Sequence, residues 1–266
     1  MSGTATAWID DPFADAVRTG RGPLWLRGDD GRRIPLDIER WCAPAAGGDH
    51  SLLLRCFDLS APVVDLGCGP GRLVAALLAL GVPALGVDVT PAAVAHTLGL
   101  GGAALCRSVF DRLPAEGRWG AALLADGNLG IGGNPQALLR RAAELIAPDG
   151  LLLVEVEPRE VDERVTVRVE GPDGRLGPPF AWARLGTEAA VRRARDAGLV
   201  EAERWASHGR RFLALRRRGA PSPSSPGSPT GPSSPSTTRR PTVAPRLSSP
   251  RSPTLPVRPA DRPTDR

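Results

Sequence analysis

Apolar residues fall along this chain in short runs divided by glycine turns and by stretches at helical spacing. Pro62 to Leu66 is one such short run, as in a strand buried on both faces. Gly67, Gly69 and Gly71 follow, and then Leu73, Val74, Leu77 and Leu78 recur at helical spacing until Gly81 stops them. Leu85 to Asp88 reads as the next strand, and Thr90-Pro91 opens a helix with Thr as N-cap and Pro in the first turn. Further strands are predicted over residues 103–107, 121–125 and 151–156. The helix between the last two starts at Asn134-Pro135 and buries Leu138, Leu139, Ala142, Leu145 and Ile146. Strands alternating with helices in this way predict an α/β fold, doubly wound around a mostly parallel sheet.

Outside that alternation the pattern changes. Asp10-Asp11-Pro12 precedes a short helix carrying Phe13, Ala16 and Val17. Leu24–Arg27 and Ile34–Leu36 flank an Asp-Gly turn and predict a β-hairpin. Asp49 is expected to N-cap a helix over residues 50–57. Residues 158–186 predict a two-stranded excursion above the sheet, and Thr187 caps a helix ended by Gly198. Leu199 to Trp205 and Phe212 to Leu215 make a closing strand pair. From Ala220 the chain is dominated by Pro, Ser, Thr and Arg, with too little apolar surface to offset its ordering entropy. Three regions are therefore expected: residues 1–48, a segment with a hairpin that could act as a lid; residues 49–218, the α/β domain; and residues 219–266, a disordered tail.

The stretch from Val63 to Asp88 carries the chemistry. Glycines remove the side chain from alternate positions of the turn, so a ligand can approach the main chain there. Asp88 falls 17 residues after Gly71, at the carboxyl end of the next strand, where an acid accepts the hydroxyls of a ribose. A dinucleotide fingerprint places its third glycine one residue later, where this chain has Arg72. The order Asp65-Leu-Gly67-Cys68-Gly69-Pro-Gly71 instead resembles motif I of the class I S-adenosylmethionine (SAM) dependent methyltransferases, over roughly residues 60–216. The resemblance implies a seven-stranded sheet with an antiparallel last strand and SAM as cofactor.

It also implies roles. Gly67, Cys68, Gly69 and Gly71 would line the methionyl end of SAM, with Asp65 ordering the turn. Asp88 and Val89 would meet the ribose. Ser108, Val109 and Phe110 match the segment laid against adenine, although the family usually has an acid where Ser108 stands; Asp111 is the alternative polar partner. Asp126 and Asn128, after the fourth strand, would face the methionine amino group or the acceptor. Methyl transfer needs no universal catalytic residue; Asp126, Asn128 and His50 are the catalytic candidates, and His50, Asp126 and Glu157 are those that could serve where a base is used. His96 reads as a surface or satisfied histidine.

Charge and cysteine usage bound the rest. The whole +5 charge is matched by seven Arg and two Asp in residues 220–266, which leaves residues 1–219 neutral. A neutral body disfavours a nucleic-acid substrate, and a small-molecule acceptor is expected. Cys42, Cys56, Cys68 and Cys106 show no zinc spacing, so no metal site is expected. With no apolar run near 18 residues and no basic-then-apolar leader, a cytoplasmic protein without membrane insertion is expected. The competing readings are a NAD(P)-dependent oxidoreductase on the same fold and a SAM-binding protein that transfers nothing. The sequence leaves oligomeric state and acceptor open.

Overall fold

A computed structural model describes residues 11–219; the tail expected from residue 220 onward lies outside the described residues. Within them, strands β3 (Val63–Leu66), β4 (Ala84–Asp88), β5 (Ala103–Cys106), β6 (Trp119–Leu124) and β7 (Ile146–Val156) pair in parallel. β10 (Leu199–Ser207) and β11 (Arg210–Arg217) complete the sheet, in the order β10-β11-β7-β6-β3-β4-β5. β11 runs antiparallel to both neighbours, so the last strand of the chain is the one reversed strand of the seven.

Side chains on successive strand positions point to opposite faces, and the core divides accordingly. Val63 and Leu123 pack with Leu52, Leu53 and Cys56 of α3 (Asp49–Asp58) and with Leu73 and Leu77 of α4 (Arg72–Ala79). Val64 and Leu124 point the other way, toward Leu138, Leu139 and Leu145 of α6 (Pro135–Leu145) and Ala190 and Ala194 of α7 (Thr187–Asp196). Burying each such leucine contributes roughly 1.5–3 kcal/mol. Covered on both faces, β3 has no position left for a polar side chain except at its carboxyl end. Asp65 stands there.

A second sheet was only half anticipated. β8 (Asp162–Glu170) and β9 (Phe180–Leu185) form the expected excursion, but they do not stand alone. β1 (Leu24–Gly28) and β2 (Arg33–Leu36) pair as a hairpin, and β1 then pairs antiparallel with β8, giving the order β2-β1-β8-β9. Leu24 and Leu26 on β1 share a core with Val167 and Val169 on β8, closed by Val17 of α1 (Pro12–Thr19) and Ile38 of α2 (Ile38–Cys42). Alternation shows that each segment is a strand; it carries no information about a partner more than 130 residues away.

Three local readings are corrected. Asp49 is the first residue of α3 rather than its cap, because its carboxylate is taken by arginines. Gly186, not Thr187, precedes α7. β7 begins at Ile146, five residues earlier than expected: Trp119 pairs with Ile146 and Ala121 with Leu151, so the Pro-Asp-Gly segment is absorbed as a bulge. Asp11 does cap α1, accepting from the Ala14 N–H at 2.9 Å.

Candidate functional site

The glycine turn leaves β3 at the carboxyl edge of the sheet and enters α4. Gly67, Gly69 and Gly71 have φ of 78°, 54° and 87°, a left-handed backbone that disfavours any residue with a Cβ. Their surroundings differ. A Cβ on Gly71 would lie 2.3 Å from Thr97 Oγ1, on α5 (Pro91–Gly99). One on Gly67 would lie 2.7 Å from Ile131 and 2.8 Å from the Asn128 amide. Around Gly69 nothing lies within 4 Å. Two of the three glycines make room for protein; only Gly69 opens to a ligand.

Asp88 lies beneath the turn. Its Oδ2 accepts from the Gly69 N–H at 2.9 Å, and its Oδ1 from the Thr90 N–H at 2.8 Å. Burial raises its pKa and these backbone donors oppose the rise. The Thr90 side chain and the Val89 N–H also bond this carboxylate. Cys68 is turned away, its sulfur filling the space beside Gly86 on β4. The Val89 carbonyl faces the Cys106 thiol at 3.6 Å.

The segment after β5 approaches from the other side. Ser108 Oγ accepts from the Phe110 N–H at 3.2 Å, and the Ser108 N–H donates to Asp111 Oδ2 at 3.3 Å, so both polar candidates shape one turn. Val109 is buried, and the exposed Phe110 ring reaches Gly132. Gly132 belongs to a 3₁₀ segment, Asn128–Gly133, lying between the glycine turn and β9. Asn128 Nδ2 donates to the carbonyls of Leu66 at 3.0 Å and Gly67 at 2.7 Å, which ties this segment to the turn.

Asp126 is in different company. Its backbone is left-handed (φ 55°), and its N–H donates to Glu155 Oε2 on β7 at 2.6 Å. Three guanidiniums converge on its carboxylate: Arg72 at 2.6 Å, Arg40 at 2.9 Å and Arg210 at 3.1 Å. Arg72 also grips Asp49 through two 2.9 Å bonds, and Arg210 reaches Asp49 at 2.5 Å and Glu155 at 2.6 Å. Against the cost of burial, these arginines hold Asp126 and Asp49 below the usual carboxylate range. Asp65 sits among the same charges but is dominated by burial, which pushes it up to about 7. Asp126 is thus built to hold negative charge and poorly suited to take a proton. His50 is exposed on α3, and Glu157 is committed to Arg184 at 2.8 Å.

Sequence reading singled out Arg72 only for displacing a glycine, and missed Arg40, Glu155 and Arg210. Two of the four carry a signal: Arg72 heads an otherwise apolar helix, and Glu155 interrupts Leu-Leu-Leu-Val-Glu-Val. A charge inside an apolar run needs a buried partner. Among the described residues two buried side-chain atoms lack a hydrogen-bond partner, Arg40 Nη1 and the neighbouring Trp41 Nε1. Arg40 Nη1 is buried without a hydrogen bond, although Nε bonds Asp37 at 2.9 Å and Nη2 bonds Asp126.

Solved structures with this arrangement decide the fold. A SAM-dependent methyltransferase from Bacteroides fragilis, in complex with S-adenosyl-L-homocysteine, superposes with a TM-score of 0.64 at 20% identity, covering 78% of this chain and 93% of its own. The chain has the fold of the class I SAM-dependent methyltransferases. The CcbJ methyltransferase from Streptomyces caelestis shares that methyltransferase fold, with a TM-score of 0.55 at 17% identity over 79% of this chain and 97% of its own. Among curated proteins, a trans-aconitate 2-methyltransferase from Methylobacterium nodulans is 36% identical over 160 residues, 58% of this chain and 59% of that protein. The chain therefore spans less than two thirds of that relative's length. No family model matches. Among the described residues no helix is long and apolar enough to cross a membrane.

Proposed function

We propose that this protein binds SAM on the glycine turn and transfers its methyl group to a small-molecule acceptor. The observation that carries the reading is the pairing of an open Gly69 with Asp88 directly beneath it: a main-chain surface with no Cβ, and a carboxylate 2.9 Å from that glycine's nitrogen. An adenosyl ligand fits such a seat, its ribose hydroxyls donating to Asp88 and its adenine meeting Val109 and Phe110. The buried, unpartnered Arg40 Nη1 supports the same reading, because a carboxylate on cofactor or acceptor would satisfy it.

Bound SAM supplies an electrophilic methyl on a sulfonium. The chain's part is to orient and to exclude water. Positioning of this kind is worth roughly 7–11 kcal/mol. The second sheet and the Asn128–Gly133 segment wall the site, and Trp182 on β9 lies against Gly130 of that segment. The neutral charge of residues 1–219 and the curated relative, named for a small organic acid, support a small acceptor over a nucleic acid.

Calorimetric titration tests the reading. S-adenosylhomocysteine should bind in the micromolar range, NAD should give no heat, and Asp88→Asn should weaken the first at least tenfold, since an amide oxygen cannot replace both carboxylate oxygens. Equal affinity in the variant, or tighter binding of NAD, rejects it. Labelled SAM incubated with a metabolite extract then separates transfer from binding without turnover.

A further inference from the structure

The glycine turn is held from outside as well as from beneath. On α5, His96 Nδ1 lies 2.7 Å from the Pro70 carbonyl oxygen. A carbonyl only accepts, so Nδ1 carries the hydrogen in this contact. One residue on, Thr97 Oγ1 lies 3.2 Å from the Gly69 carbonyl and 3.0 Å from that of Ala93, its single hydrogen serving the two. The Thr97 methyl fills the space that a side chain on Gly71 would need, 2.5 Å from where that Cβ would stand. Beneath, Asp88 takes the Gly69 N–H. Gly69, Pro70 and Gly71 are thereby pinned between the end of β4 and two neighbouring side chains of α5, while the outer surface of Gly69 stays open.

We propose that His96 and Thr97 are positioning residues for the cofactor seat: they fix the turn in its ligand-ready shape, so that binding does not have to order it. The identity of the ligand rests on the function proposed above; the role of the two side chains does not. Glycines have the most backbone freedom to lose, and a turn with three of them at positive φ is the segment where prior ordering matters most. A seat ordered in advance appears as affinity, since the ligand no longer bears that cost. A merely structural role for His96 would lower stability and leave the affinity of the folded protein alone.

The full chain with His96→Ala, His96→Asn and Thr97→Val separates the two. Asn places its amide N–H close to where the imidazole Nδ1–H stands, and Val keeps the shape of Thr without its hydroxyl. His96→Ala should raise the Kd for S-adenosylhomocysteine about fivefold, the effect of one lost hydrogen bond. His96→Asn should return it to within about twofold, and Thr97→Val should weaken binding about two- to threefold. Wild-type affinity in folded His96→Ala, or no recovery in folded His96→Asn, overturns the inference. Hydrogen exchange gives a readout that needs no ligand. The Gly69 and Gly71 amides, bonded to Asp88 and to the Cys68 carbonyl, should exchange about fivefold faster in His96→Ala, while an amide in the β6 core stays unchanged. Equal exchange at the two glycines overturns the inference. Were wild-type protein to bind no S-adenosylhomocysteine, the function proposed above would fail and this exchange comparison would still decide the role of α5.

Discussion

The two walls of the candidate site are ordered by opposite means. At the glycine turn, one carboxylate and two side chains of α5 hold the backbone through single bonds, and the face toward a ligand is left bare. At the neighbouring strand ends, Asp49, Asp126 and Glu155 are matched by Arg40, Arg72 and Arg210, almost all of it out of water. The first wall is held by few bonds and is easily perturbed. The second is rigid because each charge was stripped of solvent and must keep its partners. A site that has to both receive and orient a ligand draws the two abilities from different walls.

Removing one partner from the charged wall should have the largest effect. Arg72→Met takes one of two guanidiniums from Asp49 and one of three from Asp126, and urea unfolding should lose about 3–5 kcal/mol; a loss below about 1 kcal/mol would mean that water already reaches the cluster. The glycine wall should yield less stability and more affinity. Gly71→Ala places a Cβ against Thr97 on a backbone at φ 87°, with an expected cost of about 1–3 kcal/mol and a Kd for S-adenosylhomocysteine raised more than tenfold. Thr97→Ala in the same chain should restore part of both, and no restoration would place the strain elsewhere.

A third effect is read against pH. Asp65 is raised to about 7 in the folded protein from an ordinary 3.8, so its protonated form favours folding. That contribution is complete below about pH 4 and is lost as pH rises through 7, at about 1.4 kcal/mol per pH unit. Asp49 and Asp126 act in the opposite sense and below this window, because their depressed pKa values make their contribution disappear only as the solution becomes strongly acidic. Urea midpoints of the wild type and Asp65→Asn between pH 4 and 7 should therefore diverge in slope by one proton. Parallel curves would show that Asp65 is ionised throughout.

The glycine wall was legible in sequence and the charged wall was not, for a physical reason. Gly67 to Gly71 and Asp88 lie within one strand–turn–helix–strand unit, where spacing along the chain fixes spacing in space. The same locality made the strands of the large sheet readable from their apolar runs. Arg40, Arg72 and Arg210 come from three separate segments, and only tertiary folding brings them onto Asp126. α2, which carries Arg40, has five residues and too little periodicity to announce itself. Asp49 looked like a cap because a carboxylate at a helix start ordinarily meets backbone N–H groups; here two guanidiniums outcompete them.

Arg210 begins β11, near the end of the described chain, and answers acids at positions 49, 126 and 155. Arg40 and Arg72 precede Asp126 in the chain and can already meet Asp49 and Asp126, but Glu155 leaves the ribosome well before Arg210, the arginine that answers it. A nascent chain short of residue 210 therefore holds three carboxylates against two guanidiniums, and has no neutral way to bury the cluster.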